Sequence, residues 1–271
     1  MNNEKTKNLS SDIVIELKQV EKSFGEQKVL DRVDLQVQSG KTLVIVGASG
    51  QGKSVILKHM LGLVLPDAGE VNVFGQNITT GNKARLKEIR KHFGVLFQNV
   101  ALFDSMTVFD NVALPLRERT DLGEEEIRAN VEEKLEMMDL GGAGEKYPAQ
   151  ISGGMQKRVG LARALVLNPQ VVFFDEPTTG LDVHKSNEIY RLFYLTQQKL
   201  GYTAVIVSHD VPKIFKLSDQ VALLANRQIQ GCLSPEEFQL SDNPYIRQFV
   251  ETTMGPIYSS DREESNLYEK I

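Results

Sequence analysis

The sequence has little with which to cross-link itself and nothing long enough to span a bilayer. Its single cysteine, Cys232, excludes an internal disulfide and fits a reducing compartment. No apolar run approaches the roughly 18–20 residues that a transmembrane helix needs. The opening residues, MNNEKTKNLSSD, are polar and lack an apolar h-region, so no secretory signal is expected there. A basic excess is also missing: 31 Lys and Arg face 36 Asp and Glu, a net charge of −5, which gives no global electrostatic reason to bind nucleic acid. The expectation is an intracellular soluble protein that is not itself a pore. Hydrophobic residues at 41% and charged residues at 25% of 271 are ordinary for a globular chain, which can hold one large domain or two modest ones.

The pattern turns strand-like at Ile13. Ile13, Ile15 and Leu17 alternate, and Leu30, Val33, Leu35 and Val37 follow near the same period, with Gly25 as turn punctuation. Leu43-Val44-Ile45-Val46 is apolar on both faces, as a buried parallel strand requires. It ends in a glycine-rich loop, and residues 55–61 then have helical length and spacing. Strand, glycine loop and helix open an α/β unit. Residues 106–167 are mostly helical in pattern: Ile127, Val131, Leu135 and Met138 recur at helical spacing behind Glu124, Glu125 and Glu126 in a first turn. Asn168-Pro169 stops a helix. Two more short buried strands are expected at 171–174 and 204–207. The sum is an α/β nucleotide-binding core with a helical insertion.

Three motifs carry chemistry. Gly47-Ala48-Ser49-Gly50-Gln51-Gly52-Lys53-Ser54 matches G-x-x-x-x-G-K-[ST] in full. The glycines let the backbone turn its amides toward phosphate oxygens, and the following helix adds its positive end. Lys53 reaches the β- and γ-phosphates, and the Ser54 hydroxyl suits Mg²⁺. At average glycine usage a chance match is roughly a one-in-a-hundred event in a chain this long. Next, the strand Val171–Phe174 runs straight into Asp175 and Glu176, placing two carboxylates at the strand end where open parallel sheets bind ligands. Asp175 would hold Mg²⁺, mostly through water, and Glu176 would polarise the attacking water as general base. Alone, such a pair is often just a solvated strand end. Third, Ser152-Gly153-Gly154 opens a long helix, either as a second anion site built from amides and a hydroxyl or as a plain N-cap.

The order of these motifs, with Gln98 and His209 in their places, resembles the ATP-binding subunits of ABC transporters over about residues 13–250. The spacings agree: 122 residues separate Lys53 from Asp175, and 23 separate Ser152 from Asp175. The resemblance implies a RecA-like α/β P-loop core with an antiparallel β subdomain near the N-terminus and a helical subdomain at about 99–165. It implies roles by position. Phe24 stacks on adenine, Gln98 touches Mg²⁺ and the water, Gly180-Leu181-Asp182 forms the D-loop, and His209 contacts the γ-phosphate. It also implies ATP and Mg²⁺ as ligands and a second copy of the chain as partner. Two chains head to tail would clasp two ATP molecules, each between Lys53 of one and Ser152 of the other.

One feature departs from the common signature Leu-Ser-Gly-Gly-Gln: Ile151 leads, and Met155 takes the Gln place. That variant, followed by basic residues, is similar to the ATPases of Mla/Mce-type lipid transporters, as is segment 101–118. The implied activity is ATP hydrolysis driving phospholipid movement between inner and outer membranes. The chain would sit peripherally on the cytoplasmic face of the inner membrane. Its partners would be an integral membrane permease and, further, MCE-domain and small accessory subunits. Phe103, Met106 and Phe109 gather apolar bulk near Gln98, as ordinary core packing or as a groove for a permease helix. A small-solute importer ATPase, a soluble ABC ATPase acting on nucleic acid and a non-catalytic cassette are the alternatives. The lack of a basic excess argues against the second; intact Lys53, Glu176 and His209 argue against the third. His59, His92 and His184 fall at no metal-ligand spacing, and Met137, Met138 and Cys232 read as packing residues. The tail, 251–271, combines a charged stretch that favours disorder with spaced anchors such as Met254, Tyr258 and Tyr268 that suit docking on the neighbouring copy.

Overall fold

The computed structural model describes residues 13–209, 211 and 213–255. The polar segment 1–12 and the tail from Pro256 onward, with the docking expected of it, lie outside the described residues. Within them the chain builds two sheets. The first is antiparallel, with strands β1 (Ile13–Phe24), β2 (Gln27–Gln38), β4 (Ala68–Val73) and β5 (Gln76–Asn77) in the order β2-β1-β4-β5. Leu17 and Val20 are an odd number of residues apart, yet both are buried. A bulge between them, with Gln19 at φ 49°, resets the alternation. Arg32, at φ 50°, does the same between the buried Leu30 and Val33 of β2.

The second sheet has six strands. β3 (Thr42–Val46), β6 (Phe93–Leu96), β7 (Val171–Asp175), β8 (Thr203–Val207) and β9 (Gln220–Ala225) run parallel, and β10 (Gln228–Leu233) is an antiparallel edge. The order is β10-β9-β3-β8-β7-β6. Strand runs are apolar throughout because both faces are covered. Leu43, Ile45, Phe173 and Val205 face the antiparallel sheet and helix α1 (Lys53–Met60), whereas Val44, Val46, Phe174 and Ile206 face the opposite layer of helices. Burying a ring such as Phe173 contributes about 1.5–3 kcal/mol.

Helix α2 (Lys83–Arg90) precedes β6. The helical subdomain then holds α3 (Val108–Arg119), α4 (Glu124–Met137) and α5 (Gly153–Leu165). Thr107 caps α3 by accepting from the Asp110 amide at 3.0 Å, and three glutamates occupy the first turn of α4. Ile127, Val131, Leu135 and Met138 are all buried. A 3-10 turn at Pro148–Gln150 delivers Ser152 to the start of α5. After β7 come α6 (Val183–Leu200), the last strands, α7 (Pro235–Gln239) and α8 (Pro244–Met254). Helix α8 runs four residues past Val250, where the tail was expected to begin. Among the described residues no helix is long and apolar enough to cross a membrane.

Candidate nucleotide site

The site forms along the C-terminal edge of the parallel sheet. There the loop after β3 turns into α1, β7 ends in two carboxylates, and the segment after β8 carries His209. Gly47 begins the loop. A Cβ on it would lie 2.3 Å from the Leu224 carbonyl oxygen of β9, so only glycine lets the two backbones pass. Residues 48–50 are exposed, leaving the loop open toward a ligand.

Lys53 is buried and turns its Nζ back onto the loop, donating to the carbonyls of Gly47 at 2.8 Å and Ala48 at 3.0 Å. Ser54 donates its hydroxyl to Asp175 Oδ1 at 3.0 Å. Burial pushes the Lys53 ammonium down from its ordinary range, while Glu176 and Asp175 draw it back up. Burial likewise pushes the Asp175 carboxyl up, and the Ser54 hydroxyl pulls it down. Each group therefore holds its charge at a cost that a counter-charge would relieve: an anion at Lys53, a cation between Ser54 and Asp175. A hydroxyl and a carboxylate oxygen are hard donors of the kind that bind Mg²⁺ together with phosphate oxygens. The residues present fit that metal in the company of a nucleotide.

Glu176 has a left-handed backbone, φ 46°, and its amide donates to the Val207 carbonyl at 2.9 Å. Its Oε2 takes two partners: the Thr179 hydroxyl at 3.1 Å and His209 Nδ1 at 3.1 Å. Glu176 and His209 thus meet, and Asp175 stands one residue away on β7. Gln98 lies at the same sheet edge, two residues beyond β6, whose Leu96 pairs with Phe174. Its side chain is exposed, and its carbonyl accepts from the buried Lys157. Phe24 is half exposed, with Lys22 Nζ 5.4 Å from its ring centre.

Ser152 and Asp182 are helix caps. The Ser152 hydroxyl accepts from the Met155 amide at 3.3 Å, and Asp182 accepts from the Lys185 amide at 2.9 Å. Both side chains are exposed. No hydrogen bond or ion pair among the described residues joins Ser152, Gly153 or Gly154 to the loop 47–54 of the same chain. The structure therefore gathers Gly47–Ser54, Asp175, Glu176 and His209 and leaves Ser152–Gly154 facing outward.

Sequence reasoning missed Thr179 and Lys157. Thr179 stands three residues after Glu176, near enough along the chain for its hydroxyl to reach back to that carboxylate. Lys157 had no signal, since nothing in a lysine's neighbours says that it is buried. Of the remaining histidines, His59 is buried with Nδ1 2.7 Å from the Val64 carbonyl, His92 is exposed and meets Phe74 edge-on, and His184 is exposed. Burial pushes the Cys232 thiol up to about 11, consistent with an inert packing residue. The expected cluster of Phe103, Met106 and Phe109 divides. Phe103 is half exposed and lines an apolar groove of about 370 Å³ with Leu63, Phe97 and Pro115, while Phe109 packs on the helical core.

The chain is similar to known proteins over most of its length. The ABC transporter family pattern matches residues 30–179. The chain is 42% identical over 260 residues to the "Probable ribonucleotide transport ATP-binding protein mkl" of Mycobacterium leprae, covering 95% of this chain and 75% of that one. It is 38% identical over 245 residues to the "Intermembrane phospholipid transport system ATP-binding protein MlaF" of Escherichia coli K12, covering 90% and 91%. Its fold is similar, at TM-score 0.74 and 31% identity, to the dimeric post-hydrolysis ATP-binding cassette MJ0796 bound to ADP and Pi. That match covers 82% of this chain and 98% of the other.

Proposed function

The chain belongs to the ABC transporter family, and on that premise we propose that it is the ATP-hydrolysing subunit of a phospholipid transport system. The observation that carries the catalytic part is the joined cluster Ser54–Asp175 and Glu176–His209 beside Lys53. Lys53 and the amides of 48–52 hold the phosphates, Ser54 and Asp175 hold Mg²⁺, and Phe24 offers its exposed ring to adenine. Mg²⁺ held there would supply neutralisation of phosphate charge. Glu176 takes the proton of the attacking water, His209 and Thr179 fix its carboxylate, and Gln98 orients the water.

Ser152 and Gly153 are exposed and make no bond to their own loop among the described residues, so a second copy, head to tail, supplies Ser152–Gly154 to the γ-phosphate. ATP closes the pair and hydrolysis reopens it. The groove beside Phe103 receives a helix of the membrane permease, which places the chain peripherally at the cytoplasmic side of the inner membrane, with MCE-domain and accessory subunits as further partners.

The two curated relatives carry different cargo names, ribonucleotide and phospholipid. The lipid reading is supported by the phospholipid-named relative together with the signature in which Met155 takes the Gln place, a variant similar to that of lipid-transporter ATPases. The test is transfer by the native complex in proteoliposomes. ATP should drive labelled phospholipid to acceptor vesicles, and Lys53→Ala should stop it. Uptake of a ribonucleotide or other polar solute with no lipid transfer would overturn the lipid reading and leave the ATPase reading standing.

A further inference from the structure

The end of β1 is fastened to the loop that follows α1. Asp67, the residue before β4, makes three bonds there. Its Oδ1 accepts from the Lys22 ammonium at 2.7 Å, and its Oδ2 accepts from the Ser23 amide at 2.6 Å. Its own amide donates to the Glu21 carbonyl at 2.9 Å. The Lys22 side chain is only 15% exposed, and its Nζ lies 5.4 Å from the centre of the Phe24 ring. Lys22 and Phe24 are two apart on β1, so their side chains leave the strand on one side. The Lys22 ammonium and the Ser23 amide hold the Asp67 carboxyl below its ordinary range.

The loop is in turn fixed to α1, the helix that opens with Lys53. His59 Nδ1 lies 2.7 Å from the Val64 carbonyl, and the amides of Leu63 and Val64 donate to the Lys58 carbonyl at 2.9 and 3.3 Å. A chain of contacts therefore runs from the phosphate loop through α1 and Asp67 to Lys22 and the Phe24 ring. An exposed Lys–Asp pair by itself contributes little to stability. Here the carboxylate is also tied to two backbone groups, so it sets where the ammonium stands. Without that ammonium the Phe24 ring would sit at the tip of a hairpin whose residues 24–27 are all exposed. A stacking partner that must first be ordered loses affinity. A cation against one face of the ring holds it by attraction to its negative face, and it leaves the opposite face better suited to an electron-rich base.

We infer that Lys22 and Asp67 are positioning residues for the base of the nucleotide. Asp67 sets Lys22 against Phe24, and Lys22 holds the ring so that a base carried by a triphosphate on the loop 47–54 meets a stacking face already in place. The inference rests on the reading above in which Phe24 stacks on adenine. It makes the pair act on the base alone, since neither residue bonds to the loop 47–54 among the described residues. A ligand with the phosphates but no base is therefore blind to both.

The test measures binding of Mg-ATP and of Mg-tripolyphosphate to the full chain. Lys22→Met keeps an apolar stem and loses the charge. It should weaken ATP by about two- to fivefold, the scale of an exposed cation–π contact, and leave tripolyphosphate as it was. Lys22→Arg keeps a cation over the ring and a donor for Asp67, and it should restore the ratio of the two affinities. Asp67→Asn can still accept from the Ser23 amide but no longer pairs with the ammonium. It should shift the ratio in the same direction, and it carries the test should Lys22→Met fail to fold. Phe24→Leu should weaken ATP by about fivefold or more, the scale of base stacking, and again spare tripolyphosphate. If Phe24→Leu binds ATP as the wild type does, the stacking reading falls and the inference with it. If Phe24→Leu weakens ATP while the folded Lys22 and Asp67 variants keep the wild-type ratio, or lose ATP and tripolyphosphate alike, the inference falls and the stacking reading stands.

Discussion

Ser54 and Asp175 are joined by a hydrogen bond of 3.0 Å across 121 residues of sequence, tying the first turn of α1 to the end of β7. The bond sets the phosphate loop and the acidic strand end at a fixed separation. It also brings Glu176, one residue on, to the rim of the same site, where Thr179 and His209 hold its carboxylate. The hydroxyl and carboxylate joined here are the two hard oxygen donors that would hold Mg²⁺ beside the phosphates.

Glu176→Gln keeps the shape and most hydrogen bonding of the side chain while removing the carboxylate proposed as base. ATP binding should persist and the closed dimer should accumulate, while turnover falls by roughly 10²-fold or more. Single-turnover hydrolysis of labelled ATP, with size-exclusion chromatography of the ATP-bound state, checks both parts. Turnover near wild type would assign the base elsewhere.

Much of this arrangement was legible in the sequence because it rests on local rules. The phosphate loop announces itself by glycine spacing, the buried strands by apolar runs, and the cap at Ser152 by the residue type before a helix. Less legible was whatever depends on distant packing. The hairpin β9–β10 turns at Asn226 and Arg227, both at positive φ, and arginine is a poor advertisement for such a turn. Bulges at Gln19 and Arg32 broke the period-two signal in β1 and β2. The burial of Lys157 follows from how α5 lies against the loop after β6, and no local pattern encodes that.

The proposed two-chain sites can be tested by mixing variants. Lys53→Ala should cripple nucleotide binding in its own chain, since the ammonium that answers the phosphates is gone. Ser152→Arg should leave monomer binding largely intact, because Ser152 makes no bond to the loop 47–54, but a bulky cation there should block closure. Mixed dimers of the two variants should regain at most one competent site. Loss of ATP binding by the isolated Ser152→Arg monomer would rule out the two-chain arrangement.

Asn111 is fully buried in α3, and every bond its side chain makes holds the loop leading into that helix. It accepts from the Phe103 amide at 2.8 Å and donates to the carbonyls of Phe103, Met106 and Thr107 at 3.1, 3.2 and 2.9 Å. Asn111→Ala strands several of these groups, each unsatisfied one costing about 1–3 kcal/mol unless water reaches it. Urea unfolding should report a loss of about 2–3 kcal/mol. Proteolysis should also become faster at residues 99–107, ahead of global unfolding. A change below about 0.5 kcal/mol would mean that the loop holds its path without the clamp.

Phe103 and Phe109 offer the sharpest contrast for permease docking, because both carry the same expectation from sequence and the structure separates them. Phe103 is 49% exposed and borders the groove. Arg90, Arg119 and Arg163 also line that groove, and all three donate to backbone carbonyls. Phe109 instead packs against the helical core, with the guanidinium of Arg128 5.5 Å from its ring centre. Phe103→Ser removes an exposed ring, so its stability cost should stay within about 0.5 kcal/mol. It should still loosen the complex with the permease, because an exposed aromatic ring lining a docking groove is the kind of residue that becomes a hot spot of about 2 kcal/mol. Phe109→Ser should do the reverse: it should lower stability by about 2–4 kcal/mol through the cavity it leaves, and any weakening of the complex should track the unfolded fraction. Co-purification of the membrane partner with each variant, beside its thermal melt, separates the two outcomes. If Phe103→Ser retains the full partner complement from native membranes, the groove is not where the permease helix sits.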